Sequence, residues 1–364
     1  MVRETLERGS ELGNPRALYY STEKGGCRME LVKFTLQRFK MLQNFSMAFG
    51  PRINAVRGPA GAGKTSIFQA LVFMKHLILG QPSGFFDEYP IDFKNLGSEE
   101  NPMLQMEAVF RHGSRYLAWE NHWNAQDRYT VFEKIREGPA PESMTDLLVY
   151  EHERLRIDDG TNTVTRDLKD AVFRSAMMDC FEWSACTAYM ALRETLKEWA
   201  KGLILLDVLS PYRLAAVSTG FLPAFGIGGT GFTGFLAGLP ADRLRRVESR
   251  IRQFFPKLVS LKPVKLPGKV VTVEYWDKNG ARQLQDLGSG QLRIMALAAL
   301  PELPASLIIL EELETGIYPE FLPLILEELA QGPFQTLVSS YAPTEIPGGK
   351  VTTLSMGTGP LCVG

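Results

Sequence analysis

The run Gly58-Pro59-Ala60-Gly61-Ala62-Gly63-Lys64-Thr65 constrains this 364-residue chain more than any other stretch. Its spacing is G-x-x-x-x-G-K-[ST], and its flanks have the matching character. Ile53-Asn54-Ala55-Val56 reads as a short buried strand, and Ser66-Ile67-Phe68-Gln69-Ala70-Leu71-Val72 repeats its apolar residues at helical steps. Strand, glycine loop and helix in that order are what a phosphate-binding loop requires. The glycines let backbone N–H groups converge on a β-phosphate, and the positive end of the next helix adds to the attraction. Lys64 is expected to reach the β- and γ-phosphates, and the Thr65 hydroxyl, followed by Ser66, to meet Mg²⁺. The chain is therefore expected to bind a nucleoside triphosphate.

Two later stretches fit that expectation. Asp286-Leu287-Gly288-Ser289-Gly290-Gln291 precedes a helix predicted from Leu292 to Leu300. Ser289, Gly290 and Gln291 at a helix start form a second anion site, with free N–H groups, a dipole end and a hydroxyl. Ser306-Leu307-Ile308-Ile309-Leu310 is wholly apolar, the mark of a strand buried on both faces, and runs into Glu311-Glu312-Leu313-Glu314. Acids at the C-terminal end of a central strand stand where a metal and an attacking water are held. Glu311 is expected to bind the metal and Glu312 to act as general base. Thr336-Leu337-Val338-Ser339-Ser340-Tyr341 reads as another buried strand leading to the γ-phosphate side.

Between these signatures the chain changes character. Residues 1–28 are polar and aperiodic, so the folded domain is expected to begin at Met29. Leu31 to Gly50 suggests two strands joined through Gln37-Arg38-Phe39-Lys40, and the helix after the glycine loop is predicted to run to about Leu79. Three antiparallel strands are predicted within 103–134, and helix over 165–205, where Met177, Phe181, Trp183, Met190, Leu192 and Trp199 read as core. Gly229-Thr230-Gly231-Phe232-Thr233-Gly234 matches G-x-G-x-x-G, but no convincing strand precedes it, so it reads as a loop before a helix and not as a dinucleotide fingerprint. The helix predicted from Pro240 to Phe255 carries Arg243, Arg245, Arg246, Arg250 and Arg252. It is expected to be a solvated face tempered by Asp242 and Glu248, with a nucleic-acid backbone surface as the alternative.

Composition excludes some classes. There is no apolar run long enough to span a bilayer, and the N-terminus lacks an apolar signal core, which points to the cytoplasm. A net charge of −1 argues against coating nucleic acid by charge alone. The four cysteines (Cys27, Cys180, Cys186, Cys362) lack paired spacing and read as free thiols.

Taken together, the signatures resemble the ABC-type ATPase head of the RecF/SMC/OLD group, over roughly residues 29–364. The opening Leu31…Arg38-Phe39-Lys40…Ile53-Asn54-Ala55-Val56…Gly58-Pro59 is similar to that group's first strands and Walker A. Leu287-Gly288-Ser289-Gly290-Gln291 resembles its signature motif, and Glu311-Glu312-Leu313-Glu314-Thr315-Gly316-Ile317-Tyr318-Pro319 its Walker B and D-loop. Ser339-Ser340-Tyr341-Ala342-Pro343 aligns with its switch segment. The resemblance implies an α/β P-loop fold, an ABC-ATPase head with an antiparallel β-subdomain and a helical lobe inserted within 95–285. It implies ATP and Mg²⁺ as ligands, and a homodimer that sandwiches ATP so that Ser289 and Gly290 cap the γ-phosphate across the interface.

The sequence departs from the group's pattern at several points. Ala60 replaces the usual asparagine, Leu313 and Tyr318 replace a proline and a histidine, and Tyr341 stands where the switch histidine is expected. A tyrosine donates a hydrogen bond but carries no positive charge, so slow hydrolysis is expected. A glutamine contact of the kind the group uses is not evident, since Gln105 falls within a strand. The functions implied are DNA repair or anti-phage defence, with DNA as a candidate ligand and a separate nuclease or effector. The alternative is a nucleotide-loaded switch or scaffold with little turnover. A transporter subunit is disfavoured by the long interval from Lys64 to Leu287.

Overall fold

Alternating apolar residues build the first sheet from Met29 onward. In this computed structural model, which describes residues 28–89, 91–92, 95–97, 101–160, 162–168, 186–340 and 349–354, strand β1 (Met29–Phe39) buries Met29, Leu31, Phe34, Leu36 and Phe39. A bulge between Leu31 and Lys33 shifts the phase of that alternation. β1 runs through Phe39, beyond the expected turn, and reverses into β2 (Leu42–Ala48). Arg38 and Lys40 take left-handed conformations there, with φ of 59° and 53°.

β3 (Ile53–Arg57) delivers the glycine loop, and α1 (Lys64–Ile78) follows it. α1 is apolar nearly all round because it lies between two sheets. After the short α2 (Ser83–Glu88) come β4 (Met103–His112), β5 (Arg115–Asn124), β6 (Tyr129–Gly138), β7 (Thr145–Glu151), β8 (Arg154–Asp158) and β9 (Thr163–Asp167). They extend the first sheet in the order β2-β1-β4-β5-β6-β7-β8-β9, each neighbouring pair antiparallel.

The expected helix over 165–205 is corrected at both ends. Residues up to Asp167 belong to β9, the helix α3 covers Thr187–Lys201, and Leu203–Asp207 forms strand β10. Residues 169–185, with Met177, Phe181 and Trp183, lie outside the described residues. Periodicity is ambiguous for a short apolar run such as Leu203-Ile204-Leu205-Leu206. The register with a neighbouring strand resolves it as strand.

The remainder is α4 (Pro211–Ala215), β11 (Ser218–Thr219), α5 (Phe232–Gly238), α6 (Ala241–Phe254), β12 (Ser260–Leu266), β13 (Val270–Asp277), β14 (Gly280–Gln283), α7 (Ser289–Ala299), β15 (Leu307–Leu310), α8 (Leu322–Gln331), β16 (Gln335–Ser340) and β17 (Lys350–Thr353). β10-β15-β16-β3-β17 is a second, wholly parallel sheet. The third sheet is small: β13 lies between β11 and β12 and also pairs with β14. The glycines at 229–234 precede α5 without a strand leading directly into them, as expected of a loop before a helix.

The parallel sheet divides two cores. Leu307 and Ile309 face the one shared with α1, α3 and the first sheet, whereas Ile308 and Leu310 face α5 to α8. Buried Gln335 links the large sheets: its Oε1 accepts the Leu31 N–H at 2.8 Å, and its Nε2 donates to the carbonyls of Leu31 and Gly50 at 2.9 and 2.8 Å. Because the sheet is parallel, the C-terminal ends of β3, β10, β15 and β16 emerge along one edge. Ligands bind along such an edge.

The arginines of α6 are neither a free phosphate surface nor a simple solvated face. Arg243, Arg246 and Arg250 converge on Glu302, which is 3% exposed just past α7. Arg252 binds Glu248 and the carbonyls of Leu258 and Val259.

Candidate nucleotide site

The edge formed by those strand ends gathers the predicted residues of the glycine loop and of Walker B. Gly61 and Gly63 have φ of 79° and 93°, the left-handed region that favours glycine, and Gly63 caps α1. A Cβ on Gly63 would lie 3.0 Å from Leu42 Cδ2, because the β1–β2 turn presses on the loop. Ala62 is buried beneath it, whereas Pro59, Ala60 and Gly61 face outward. Lys64 Nζ donates to the carbonyls of Gly58 and Pro59, at 2.7 and 2.9 Å. Those bonds hold the ammonium group over its own loop.

Thr65 Oγ1 donates to Glu311 Oε2 at 3.0 Å. A hydroxyl and a carboxylate oxygen at that separation can share one cation. Among the described residues no group of three His, Cys, Asp or Glu side chains could hold a metal unaided. The donor set thus fits Mg²⁺ only together with phosphate oxygens, which is how Mg²⁺ is commonly held beside nucleotides. Burial pushes the Glu311 carboxyl up to about 7, with Asp207 and Glu312 adding to the rise and the Thr65 hydrogen bond opposing it.

Glu312 starts a tight turn with φ of 48°. Its N–H donates to Ser339 Oγ at 2.9 Å, and its Oε2 accepts from Thr315 Oγ1 at 3.0 Å. The end of β16 thereby grips the acidic turn, and Ser340 Oγ donates to Glu314 Oε1 at 3.2 Å. Tyr341, with Ala342 and Pro343, lies outside the described residues. Gln105 sits in mid-strand, registered with Gln37 and His122.

Ser289 is exposed at the first turn of α7, behind Gly288 as N-cap. Gln291 gives Tyr275 a side-chain hydrogen bond. The start of α7 is tied to the turn after Walker B: a Cβ on Gly290 would lie 2.9 Å from the Gly316 carbonyl oxygen. A Cβ on Gly316, whose φ is 69°, would lie 1.6 Å from Arg293 Nη1. Arg293 Nε in turn donates to the Leu209 carbonyl at 2.9 Å. One guanidinium therefore joins the signature helix to the turns that follow β10 and β15.

Asp207 was not foreseen from sequence. It ends β10 with φ of 57°, its carbonyl accepts the Glu311 N–H at 3.4 Å, and its Oδ1 accepts the Val208 N–H at 2.7 Å. The signal was present: Leu203-Ile204-Leu205-Leu206-Asp207 repeats the pattern of Leu307-Ile308-Ile309-Leu310-Glu311, an apolar run closed by an acid.

Comparison with known proteins agrees with this geometry. The family described as "AAA domain, putative AbiEii toxin, Type IV TA system" matches residues 230–340, and one described as "AAA domain" matches 33–164. No curated protein matches. Among solved structures, an SMC head bound to the C-terminal winged-helix domain of ScpA is similar over 92% of this chain and 97% of its own, with 14% identity and a TM-score of 0.51. The SMC head of Pyrococcus furiosus, bound to the C-terminal domain of ScpA, covers 92% and 96%, with 12% identity and a TM-score of 0.51. The SMC head of Thermotoga maritima covers 92% and 98%, at 14% identity and a TM-score of 0.47. At such identities the structural likeness speaks to fold alone. Among the described residues no helix is long and apolar enough to cross a membrane.

Proposed function

We propose that this chain, an ATPase head of the SMC/RecF-like ABC type, binds ATP with Mg²⁺ at the edge described above and hydrolyses it slowly. The observation that carries the reading is the 3.0 Å contact between Thr65 Oγ1 and Glu311 Oε2 at the mouth of the glycine loop. When bound, Mg²⁺ supplies charge neutralisation on the β- and γ-phosphates. Thr65 and Glu311 would hold it. Lys64 exchanges its two carbonyl partners for phosphate oxygens, a stronger, charge-assisted pairing. The backbone from Gly58 to Ser66 cradles the phosphates. Glu312, released from Thr315, accepts the proton of the attacking water.

The exposed Ser289, with Gly290 and Gln291 behind it, suits contact with the γ-phosphate held by a second copy. ATP would then close a homodimer and hydrolysis would open it, driving a cycle delivered to DNA or to a separate nuclease or effector, in DNA repair or anti-phage defence. The bond between Thr315 and the Glu312 carboxylate favours one second reading, a nucleotide-loaded switch with little turnover.

The test is the light-scattering mass of Glu312→Gln with and without Mg·ATP. Removing the base should lower hydrolysis roughly 10²- to 10⁴-fold and trap the closed state, so the mass should double with Mg·ATP. A mass that stays at one subunit, although ATP is bound, rejects the homodimer and favours the switch.

A further inference from the structure

Burial leaves one polar atom without a partner just beyond α2. The ring of Tyr89 packs on that of Phe85 with centroids 4.9 Å apart, and the Tyr89 N–H closes the helix on the Phe85 carbonyl at 2.9 Å. Those contacts place the side chain but make no use of the phenol oxygen. That oxygen is buried and has no hydrogen-bond partner. Burial, then the charges of Glu88, Asp207 and Glu311, push its pKa well above the ordinary phenol value. The group is thus a permanent O–H donor held within the field of the two acids that end β10 and β15. Leaving a buried hydroxyl unpaired costs about 1–3 kcal/mol. Phenylalanine would pack equally well without that cost.

The connection that follows Tyr89 leads to the other side of the glycine loop. There the Leu96 carbonyl accepts the Lys40 N–H at 2.7 Å, at the β1–β2 turn that presses on Gly63. Tyr89 and Leu96 therefore flank the nucleotide site from opposite sides.

We propose that Tyr89 is a positioning residue of the Mg·ATP site: its hydroxyl, unpaired beside Asp207 and Glu311, donates to an oxygen that arrives with the Mg²⁺-nucleotide at those carboxylates. This rests on the ATP reading above. The ligand oxygen belongs to a metal-held water or to a phosphate, and the two are separable by experiment.

Tyr89→Phe removes the hydroxyl and keeps the ring. Thermal unfolding of the full chain is followed without ligand, with Mg·ATP, with Mg·ADP, and with ATP plus EDTA. The ligand-free Tm of Tyr89→Phe should equal or exceed that of the parent, since an unsatisfied polar atom has been deleted. The Tm rise caused by Mg·ATP should shrink to that of roughly tenfold weaker binding, while the rise with ATP plus EDTA should be unchanged. The same shrinkage with Mg·ADP assigns the partner to the metal's water, and shrinkage with Mg·ATP alone assigns it to the γ-phosphate. A lower ligand-free Tm with an undiminished Mg·ATP shift would make the hydroxyl structural and overturn the proposal. So would equal shifts in the two proteins. If the parent shows no shift with Mg·ATP, the ATP reading fails, and this proposal fails with it.

Discussion

Thr65 Oγ1 and Glu311 Oε2 stand 3.0 Å apart although 246 positions separate them in the chain. Two parallel strands bring them together: β3 feeds the loop before Thr65, β15 ends at Glu311, and β16 lies between. If the pair shares one Mg²⁺, Thr65→Val and Glu311→Gln should each weaken Mg·ATP binding by roughly tenfold or more, the scale of a lost contact to a charged group. The double variant should be little worse than either single one. Calorimetric titration with ATP, with and without Mg²⁺, checks both points.

The raised pKa of Glu311 gives Mg²⁺ binding a defined pH dependence. With its pKa near 7, the carboxyl keeps a proton that the unfolded chain has already lost above the ordinary value of 4.5. Its effect on folding is therefore absent below that value and turns unfavourable as pH rises toward 7 and beyond. Metal binding needs the ionised form, so affinity for Mg·ATP should rise by about tenfold per pH unit up to about 7 and then level off. Glu311→Gln should flatten the profile. Titrations from pH 5.5 to 8.5 test this.

Gly316 should resist replacement for two separable reasons. Its φ of 69° strains any L side chain, and a Cβ would strike Arg293 Nη1, whereas Gly268, with φ of 75°, has nothing within 4 Å. Gly268→Ala should show the backbone strain alone, about 1–2 kcal/mol. Gly316→Ala should cost about 1–3 kcal/mol more, because Arg293 must leave its place. It should also abolish the ATP-dependent rise in mass, since that guanidinium joins the signature helix to the Walker B turn. Urea unfolding and light scattering provide the two readouts.

Glu302 should be a stability residue with an acid-sensitive signature. Burial works to raise its pKa, but hydrogen bonds from Arg246, Arg243 and Arg250 outweigh that and hold the carboxyl below its ordinary range. Stability from a lowered carboxyl is complete above the unfolded value and is lost as pH falls through the folded one. Glu302→Gln should cost about 3–5 kcal/mol at neutral pH, the scale of a buried charge left without its partner. Its deficit relative to the parent should narrow as pH drops below 4. Unfolding curves from pH 3 to 7 measure this.

The sequence by itself determined the local units. Spacing and flanking patterns located the glycine loop, the acidic end of Leu307–Leu310 and the start of α7, because each is built from neighbours in the chain. Backbone sterics, alternation and helix-end chemistry act over a few residues and are therefore readable. What the tertiary structure decided depends on partners far apart in sequence. The run Leu203–Leu206 becomes a strand only through its pairing with β15, and with that pairing Asp207 is placed next to Glu311. The arginines of α6 acquire their meaning from Glu302, which no periodicity within α6 could reveal. The unpaired hydroxyl of Tyr89 is likewise a property of surroundings supplied by three separate segments. Charges and buried polar groups are governed by what lies within a few ångströms in space, and only the folded chain sets that.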